Sequence, residues 1–223
     1  DNLVAVRVLN PTESPIDGIV LSQTPHRNKV VPPRAGSSFN TGGIMYPVEI
    51  RYLPPVHVAD LFVRPDLKTG RIAVTLTVRN SGDASVAGEL SLSIAPAAGG
   101  DKLHGLRLSR KFPSGSSTHE LNLDIAQPRA WNLDDPYLYR VTAAVSAANQ
   151  RAHEHAARCG FRDFRIVDGY FQLNGKRIFL KSSHTGNHVP IGHVVAVLPD
   201  HVRRDVINAK ASGFNCVRFI SGV

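Results

Sequence analysis

Apolar and polar residues alternate along the middle of the chain, and this period of two limits what the chain can fold into. Apolar residues occupy every second position of the segment 72–79, starting at Ile72, and the segment 88–94 repeats the pattern. Such alternation is typical of a β-strand with one face in a core and the other in solvent. Further strands are predicted at 56–58, 61–63, 119–123 and 137–145, with turn residues at 80–83 and 96–100.

About seven short strands over roughly a hundred residues predict an immunoglobulin-like β-sandwich for the region 55–161. The Cys-Trp-Cys spacing of antibody domains does not accompany them. The preceding region, 1–54, also reads as strands and turns, with an apolar run near its start and a β segment at 43–52. Because a long polar stretch separates those two segments, this region is interpreted as the end of another β-sandwich.

After Phe161 the period changes, and the pattern becomes strand, helix, strand. Two such strands are expected to pair in parallel through a right-handed crossover, as a βαβ unit. The predicted elements are a hairpin around Asn174-Gly175, a strand over 177–181, a helix from Pro199 to the cap Gly213 with Val202, Val206 and Ala209 on one face, and a buried strand over 214–220.

Composition excludes some functional classes. With 223 residues, 42% of them hydrophobic and 20% charged, the chain is typical of a globular protein. The net charge of +8 is spread along the chain, and the densest basic stretch, 158–181, carries no aromatic stacking pattern. A solvated basic surface is therefore expected, with no nucleic-acid partner, although an anionic sugar would also fit the charge. No apolar run approaches the ~20 residues of a membrane helix, so no membrane partner is expected.

Cysteine and histidine patterns leave little room for a metal or a cofactor. Cys159 and Cys216 are compatible with one disulfide or with two buried free thiols. The sequence His153-Glu154-His155 and the pair His184 and His188 have spacings that a metal could use, but neither comes with the further ligands of a zinc site. Neither a phosphate-binding glycine loop nor a nucleophile elbow is present. We expect no metal site and no cofactor.

Several segments, in order, carry a family resemblance. The chain resembles glycoside hydrolase family 2, which contains β-galactosidases, β-glucuronidases and β-mannosidases. Each segment is a weak signal alone, but the ordered set spans nearly the whole chain. The segments are Gly42-Gly43-Ile44 with Val48, 58–63, 131–139 (Trp-Asn-Leu-Asp-Asp-Pro-Tyr-Leu-Tyr), Gly160-Phe161-Arg162-Asp163-Phe164, 173–181 (Leu-Asn-Gly-Lys-Arg-Ile-Phe-Leu-Lys) and 213–218 (Gly-Phe-Asn-Cys-Val-Arg).

The resemblance implies three domains and a retaining hydrolase of β-glycosides. Residues 1–54 correspond to the C-terminal part of a jelly-roll sugar-binding domain, 55–161 to the immunoglobulin-like sandwich, and 162–223 to the truncated start of a TIM-barrel, (β/α)8, catalytic domain. The family's two catalytic groups are glutamates on later barrel strands. The chain has no glutamate after Glu154, and beyond it the carboxylates are Asp163, Asp168, Asp200 and Asp205.

These aspartates are predicted to fall on the domain junction, the hairpin and the helix. A retaining hydrolase needs two carboxyl groups about 5 Å apart across the scissile bond. The sequence therefore assigns no catalytic residue in this chain, and the chain alone is expected to be inactive.

Substrate contacts are expected where the active site of such barrels lies, at the carboxyl ends of the strands. The resemblance implies that Arg218 orients the catalytic nucleophile, which its planar guanidinium can do by holding a carboxylate; a structural ion pair inside the barrel is the alternative. His184, Asn187 and His188 are predicted to hydrogen-bond sugar hydroxyls, or else to anchor the loop that carries them.

The same loop departs from the family's usual pattern. Members commonly have Arg-Gly-x-Asn-x-His after this strand, whereas this chain has Lys181-Ser182-Ser183-His184-Thr185-Gly186. The usual histidine therefore aligns with Gly186. Many β-galactosidases also carry a histidine shortly after the arginine, where this chain has Ser221. A divergent exo-glycosidase is the better description.

Two hypotheses about function follow. In the first, the chain is a fragment of a family 2 hydrolase that acts on a carbohydrate substrate, a β-glycoside; a homo-oligomer of the parent enzyme is left open. In the second, the sandwich is a non-catalytic carbohydrate-binding or interaction module, and the βαβ tail is a degenerate barrel remnant.

Overall fold

The computed structural model describes residues 3–8, 44, 47–147, 152–185 and 199–219, and the described part is mainly β. Contacts divide the chain into two compact units. One unit is continuous and comprises residues 51–179. The other combines residues 1–50 with residues 180–223.

A two-sheet sandwich forms most of the unit 51–179, which confirms the predicted β-sandwich. One antiparallel sheet has the strand order β1-β2-β5, and the other has the order β4-β3-β6-β7. The strands are β1 (Val56–Asp66), β2 (Arg71–Asn80), β3 (Val86–Pro96), β4 (His104–Phe112), β5 (Gly115–Asp124), β6 (Tyr139–Ala147) and β7 (His153–Cys159).

The core lies between the two sheets. The apolar positions of β2 that alternate in the sequence are completely or almost completely buried, and those of β3 and β6 are buried opposite them. Burial of apolar surface is the dominant stabilising term in folding, and the period of two places it on one face of each strand. The buried side chains of these three strands include Ile72, Val74, Leu76, Val78, Leu90, Leu92, Ile94, Val141, Ala143 and Val145.

Two strands of the sandwich were not predicted from the sequence. Strands β4 and β7 are the edge strands of the four-stranded sheet, and most of their side chains are exposed or half-buried. Edge strands commonly carry charged residues, which discourage pairing with other chains. Their sequences, His-Gly-Leu-Arg-Leu-Ser-Arg-Lys-Phe and His-Glu-His-Ala-Ala-Arg-Cys, therefore lack the clean alternation of a half-buried strand.

The predicted segments 56–58 and 61–63 form a single strand. The register of β1 against β2 shifts between Val58 and Asp60, so the strand continues through an irregularity of the bulge type. As a result Val58 and Leu61 both face the core, although they are three positions apart.

Strand order differs from the constant-type immunoglobulin layout, in which the fourth strand shares a sheet with the first, second and fifth. Here β4 pairs with β3 instead. A hydrogen bond resembles the tyrosine corner of immunoglobulin domains. The hydroxyl of Tyr139, at the start of β6, accepts the backbone N–H of Arg129, ten residues upstream (2.8 Å). The immunoglobulin-like assignment itself stays a prediction.

Two tight turns shape a small sheet that follows the sandwich. Strands β8 (Phe164–Val167), β9 (Tyr170–Leu173) and β10 (Lys176–Arg177) pair antiparallel in the order β10-β9-β8. The turns are Asp168-Gly169 and Asn174-Gly175, whose four residues all have positive φ. Asp-Gly and Asn-Gly are the residue pairs that two-residue hairpin turns prefer for this reason. The Asn174-Gly175 hairpin was predicted, whereas the Asp168-Gly169 hairpin was not.

Asn174 fastens this small sheet to the end of the sandwich. Its Oδ1 accepts the backbone N–H of Asp163 (2.9 Å), and its Nδ2 donates to the carbonyl of Trp131 (2.9 Å). Its backbone N–H donates to the carbonyl of Asp163 (2.7 Å). One side chain therefore holds the segment after Phe161 against the loop that precedes β6.

The predicted parallel pairing of a βαβ unit is confirmed in the second unit. Strand β11 (Ser182–Thr185) pairs in parallel with β12 (Cys216–Phe219), and helix α1 (Pro199–Ala211) lies between them in sequence. The position predicted for the first strand, 177–181, is wrong, because Lys176 and Arg177 end the hairpin sheet and pairing resumes at Ser182. The second strand is shorter than predicted, and within it Cys216 and Val217 are only half-buried.

The N-terminal region gives little support to the predicted strands there. Of the segment 43–52, residues 44 and 47–52 are described, and they have no regular secondary structure. A β-strand requires a partner for its ladder of hydrogen bonds, and none pairs with these residues in the described part of the chain. The polar stretch 22–40 lies outside the described residues.

Two histidines meet where β1 lies beside β7. The backbone N–H of Val58 donates to Nδ1 of His153 (3.1 Å), so this nitrogen must be unprotonated. The ring of His57 lies edge-on to that of His153, with 5.8 Å between centroids, and its Nδ1 donates to the carbonyl of Pro54 (3.0 Å). Burial, with smaller effects of His57 and His155, lowers the pKa of His153.

We expect acid to weaken the sandwich through His153. Because its folded-state pKa is depressed below 6.5, the unfolded chain binds the proton more readily, and stability is lost as the pH falls below that value. The variant His153→Asn keeps an acceptor for the Val58 N–H and does not titrate. Thermal unfolding followed by circular dichroism should show a smaller loss of Tm on acidification in the variant than in the parent chain.

Burial also lowers the pKa of His119, on β5, so part of the acid response should survive in His153→Asn. The double variant with His119→Asn should lose more of the pH dependence than either single variant. An unchanged acid response in His153→Asn would show that this contact does not couple protonation to folding.

A second prediction concerns the anchoring role of Asn174. Asn174→Ala removes the hydrogen bonds to Trp131 and Asp163, and we expect a loss of about 1–3 kcal/mol in the free energy of unfolding, measured in urea. Asp168→Ala is the matched control, since Asp168 has a similar φ of 49° against 52° for Asn174. Both substitutions carry the same backbone strain, so equal destabilisation would contradict the anchoring role.

Candidate functional site

The carboxyl ends of β11 and β12 bring two of the predicted substrate-binding residues together. His184 and Arg218 are partners in the parallel register of the two strands. In the sequence they lie on either side of the predicted helix, 34 positions apart, and their place in one βαβ unit makes them neighbours. Asn187 and His188, the other two predicted residues, lie outside the described residues.

Local interactions fix where β12 begins. The helix ends in a Schellman arrangement, with hydrogen bonds from Phe214 N–H to Ala209 carbonyl (3.1 Å) and from Gly213 N–H to Lys210 carbonyl (3.0 Å). The positive φ of Gly213 (84°) makes this reversal possible and confirms the predicted cap. The chain then enters the strand that carries Arg218.

Asn215 joins the two strands at their amino ends. Its Oδ1 accepts the backbone N–H of Lys181 (2.9 Å), and its own N–H donates to the carbonyl of Lys181 (3.1 Å). These bonds set the register that places His184 beside Arg218 at the opposite ends of the strands.

Arg218 is exposed at this edge. Within the described residues it forms no ion pair with a carboxylate, so its guanidinium faces solvent. An arginine in this state can bind a carboxylate or a hydroxyl-bearing ligand through its fixed fork of N–H donors. The geometry therefore allows the predicted role, and the role stays a prediction.

The comparisons with known proteins bear on the sandwich and its junction. Residues 56–162 match the sequence profile of the glycosyl hydrolases family 2. The chain is therefore similar to a fragment of a glycoside hydrolase of family 2. The match begins at the first strand of the sandwich and ends just after Phe161, the last buried residue of its core.

Relatives extend this family 2 match over more of the chain. A β-galactosidase of Aeromonas hydrophila subsp. hydrophila is 29% identical over 192 residues, which is 79% of this chain and 18% of that protein. A β-galactosidase of Erwinia tasmaniensis is 33% identical over 99 residues, which is 44% of this chain and 10% of that protein. The chain thus spans less than a fifth of the length of these curated relatives.

Solved structures share the fold. A β-glucuronidase of Bacteroides uniformis has a TM-score of 0.67 and 22% identity, covering 87% of this chain and 25% of that one. A family 2 member from Bacteroides cellulosilyticus also has a TM-score of 0.67, with 21% identity over 74% of this chain and 22% of that one. At these identities the likeness shows the fold alone.

The four aspartates after Glu154 lie where the sequence predicts them. Asp168 occupies the hairpin turn, and Asp200 and Asp205 are on α1. Asp163, at the junction, forms a short ion pair with Arg165 (Nε to Oδ1, 2.6 Å). Of the four, Asp163 lines a cleft, which it shares with Asp66.

Both cysteines are free thiols, as in the second of the two alternatives, but only Cys159 is buried. Cys159 is buried at the end of β7, and burial raises the pKa of its thiol to about 11. A thiol with so high a pKa is almost entirely protonated near neutral pH and is a poor nucleophile. Cys216 is half-buried in β12.

The described residues contain no cluster of three or more histidine, cysteine or acidic side chains arranged to hold a metal ion. Of the pair His184 and His188, whose spacing a metal could use, His188 lies outside those residues. Among the described helices, none combines the length and the apolar character needed to cross a membrane.

A group of basic residues that line two clefts was only partly recognised from the sequence. The basic stretch 158–181 contributes Arg158, Arg162 and Arg165 to clefts at one end of the sandwich. Other cations of the same clefts, Arg64, Lys68 and Arg71, come from the end of β1, the start of β2 and the turn between them, nearly a hundred positions earlier. Only the fold brings the two basic groups together.

Proposed function

We propose that the protein to which this chain belongs hydrolyses β-linked glycosides with retention, and that this chain supplies its sandwich and the start of its catalytic barrel. The family 2 match of residues 56–162 carries the proposal. The jelly-roll domain proposed for 1–54 and the barrel proposed for 162–223 rest on the ordered resemblance described above.

The parallel pair β11 and β12 supports the barrel part of the proposal. A (β/α)8 barrel consists of parallel strands joined by helices, and this chain contains one such unit in its second half. In this proposal Arg218 lies at the carboxyl end of the second barrel strand, and His184 at the end of the first. These are the positions from which such barrels reach a substrate.

The chain alone has no group for the chemical step. Retaining hydrolysis requires one carboxyl group as nucleophile and another as acid and base, about 5 Å apart. The four aspartates after Glu154 lie at the junction, in the hairpin turn and on the helix. We therefore assign this chain a supporting role, in which it positions a substrate and orients groups supplied by the rest of the enzyme.

The proposal predicts where activity will be found. Residues 1–223 should release no nitrophenol from nitrophenyl β-galactoside, β-glucuronide or β-mannoside, whereas a gene product extended through the rest of a family 2 barrel should hydrolyse at least one of them. Hydrolysis by residues 1–223 alone would overturn the supporting role. An inactive extended protein would favour the alternative of a non-catalytic carbohydrate-binding module.

A further prediction concerns Arg218 in the extended protein. If Arg218 orients the nucleophile, Arg218→Ala should lower kcat on the order of 10²-fold, the scale expected when an electrostatic contact to the reacting groups is lost. Arg204→Ala, on the exposed surface of α1 in the same unit, is the matched control and should leave kcat unchanged. Equal kcat values in the two variants would exclude the role.

A further inference from the structure

Two neighbouring clefts open at one end of the sandwich, within the unit 51–179. The first, of about 360 Å³, lies between the turn that joins β1 to β2 and the segment 162–165. The second, of about 400 Å³, lies between Trp131 and the end of β7. Pro65 and Arg162 line both, so the two clefts adjoin along a common wall. Each is large enough for a small ligand.

The lining is strongly basic. Cations outnumber carboxylates three to one among the charged side chains that line the two clefts. The cations are Arg64, Lys68, Arg71, Arg158, Arg162 and Arg165, and the carboxylates are Asp66 and Asp163.

Both carboxylates are already engaged. Asp66 accepts the backbone N–H of Lys68 (2.9 Å), and this hydrogen bond lowers the pKa of its carboxyl group. Asp163 is paired with Arg165. Asp66 stays ionised, so the six cations face two carboxylates and the lining keeps a net positive charge.

Three arginines remain for a ligand. In the described part of the chain, Arg64 and Arg158 form no ion pair with a carboxylate. Arg162 is held differently, with its guanidinium over the Trp131 ring at 5.1 Å from the centroid. Stacking on an aromatic ring fixes the orientation of a guanidinium and leaves its N–H donors available. Arg162 is thus preorganised at the wall that both clefts share.

We propose that the two clefts form one binding site for an anionic oligosaccharide, whose carboxylate or sulfate groups pair with Arg64, Arg158 and Arg162. Guanidinium groups bind such oxyanions through two parallel hydrogen bonds. Because the two clefts adjoin, a ligand made of linked units can place one anion in each of them. That the anion is a saccharide rests on the proposed function; the site includes neither His184 nor Arg218.

The arrangement favours a saccharide over a single-stranded nucleic acid. Proteins that bind single strands without sequence preference offer aromatic faces on which bases stack. Trp131 is the only aromatic residue that lines either cleft in the described structure, and its ring carries the Arg162 guanidinium. The clefts therefore offer a ligand positive charge and hydrogen-bond donors rather than aromatic faces, and these groups suit a hydroxyl-rich anionic ligand.

Each exposed ion pair contributes little, so affinity depends on several arginines acting together and should weaken with salt. Binding to residues 1–223 can be measured by isothermal titration calorimetry with hexagalacturonate for carboxylates, a heparin tetrasaccharide for sulfates and galactohexaose as the neutral control. At least one anionic saccharide should bind at low salt, galactohexaose should not, and the better of the two identifies the anion.

The double variant Arg64→Gln, Arg162→Gln should weaken that binding roughly tenfold or more, a loss of about 1.4 kcal/mol. Arg79→Gln, paired with Arg110→Gln, removes the same net charge from exposed arginines that line neither cleft and should leave binding unchanged. Equal weakening in both double variants, or equally tight binding of a single-stranded oligodeoxynucleotide, would overturn the site.

The outcome is independent of hydrolysis. Residues 1–223 can bind the anionic saccharide whether or not the extended protein is active, so failure of this site and failure of the proposed function are separate results.

Discussion

Apolar side chains of two facing sheets exclude water from the centre of the sandwich, and the other features of residues 51–179 are attached to that dry interface. At one end of it Phe161 is completely buried and lies edge-on to Tyr139, with 5.4 Å between ring centroids. The hydroxyl of Tyr139 in turn receives the Arg129 N–H. The core therefore extends, ring by ring, into the loop before β6.

This end of the core also determines where the functional groups lie. The carbonyl of Phe161 accepts the N–H of Trp131 (2.8 Å), and Asn174 bonds to the carbonyl of the same tryptophan. Trp131 is thus held from both sides while its ring supports Arg162. An arginine at the protein surface is positioned by contacts that lead directly to the hydrophobic core.

Sequence reasoning predicted the strands whose burial produces alternation, both central strands such as β2 and β3 and the edge strand β5. It missed β4 and β7, because charged and small residues interrupt the period of two in their sequences. It also misplaced the first strand of the βαβ unit. In the segment 176–185 the apolar residues Ile178, Phe179 and Leu180 attract a strand assignment, yet the ladder forms at Ser182–Thr185, where Asn215 sets the register.

The candidate sites show the same division. His184 and Arg218 could be paired from the sequence, because a strand–helix–strand order implies neighbouring parallel strands. The basic clefts could not, since Arg64 and Arg162 are 98 positions apart and belong to no common motif. Similarity to glycoside hydrolase family 2 agrees with the fold but says nothing about these clefts.

The shift of register in β1 has a consequence for the chain beyond the strand itself. Before it, even-numbered side chains such as Val58 face the core; after it, odd-numbered ones such as Leu61 do. In an uninterrupted ladder, Arg64 would share the inward face of Val58 and would carry its charge into the interior. The single extra residue therefore exchanges the inward and outward faces of the strand. As a result the same strand contributes apolar side chains to the core and places Arg64 at the protein surface.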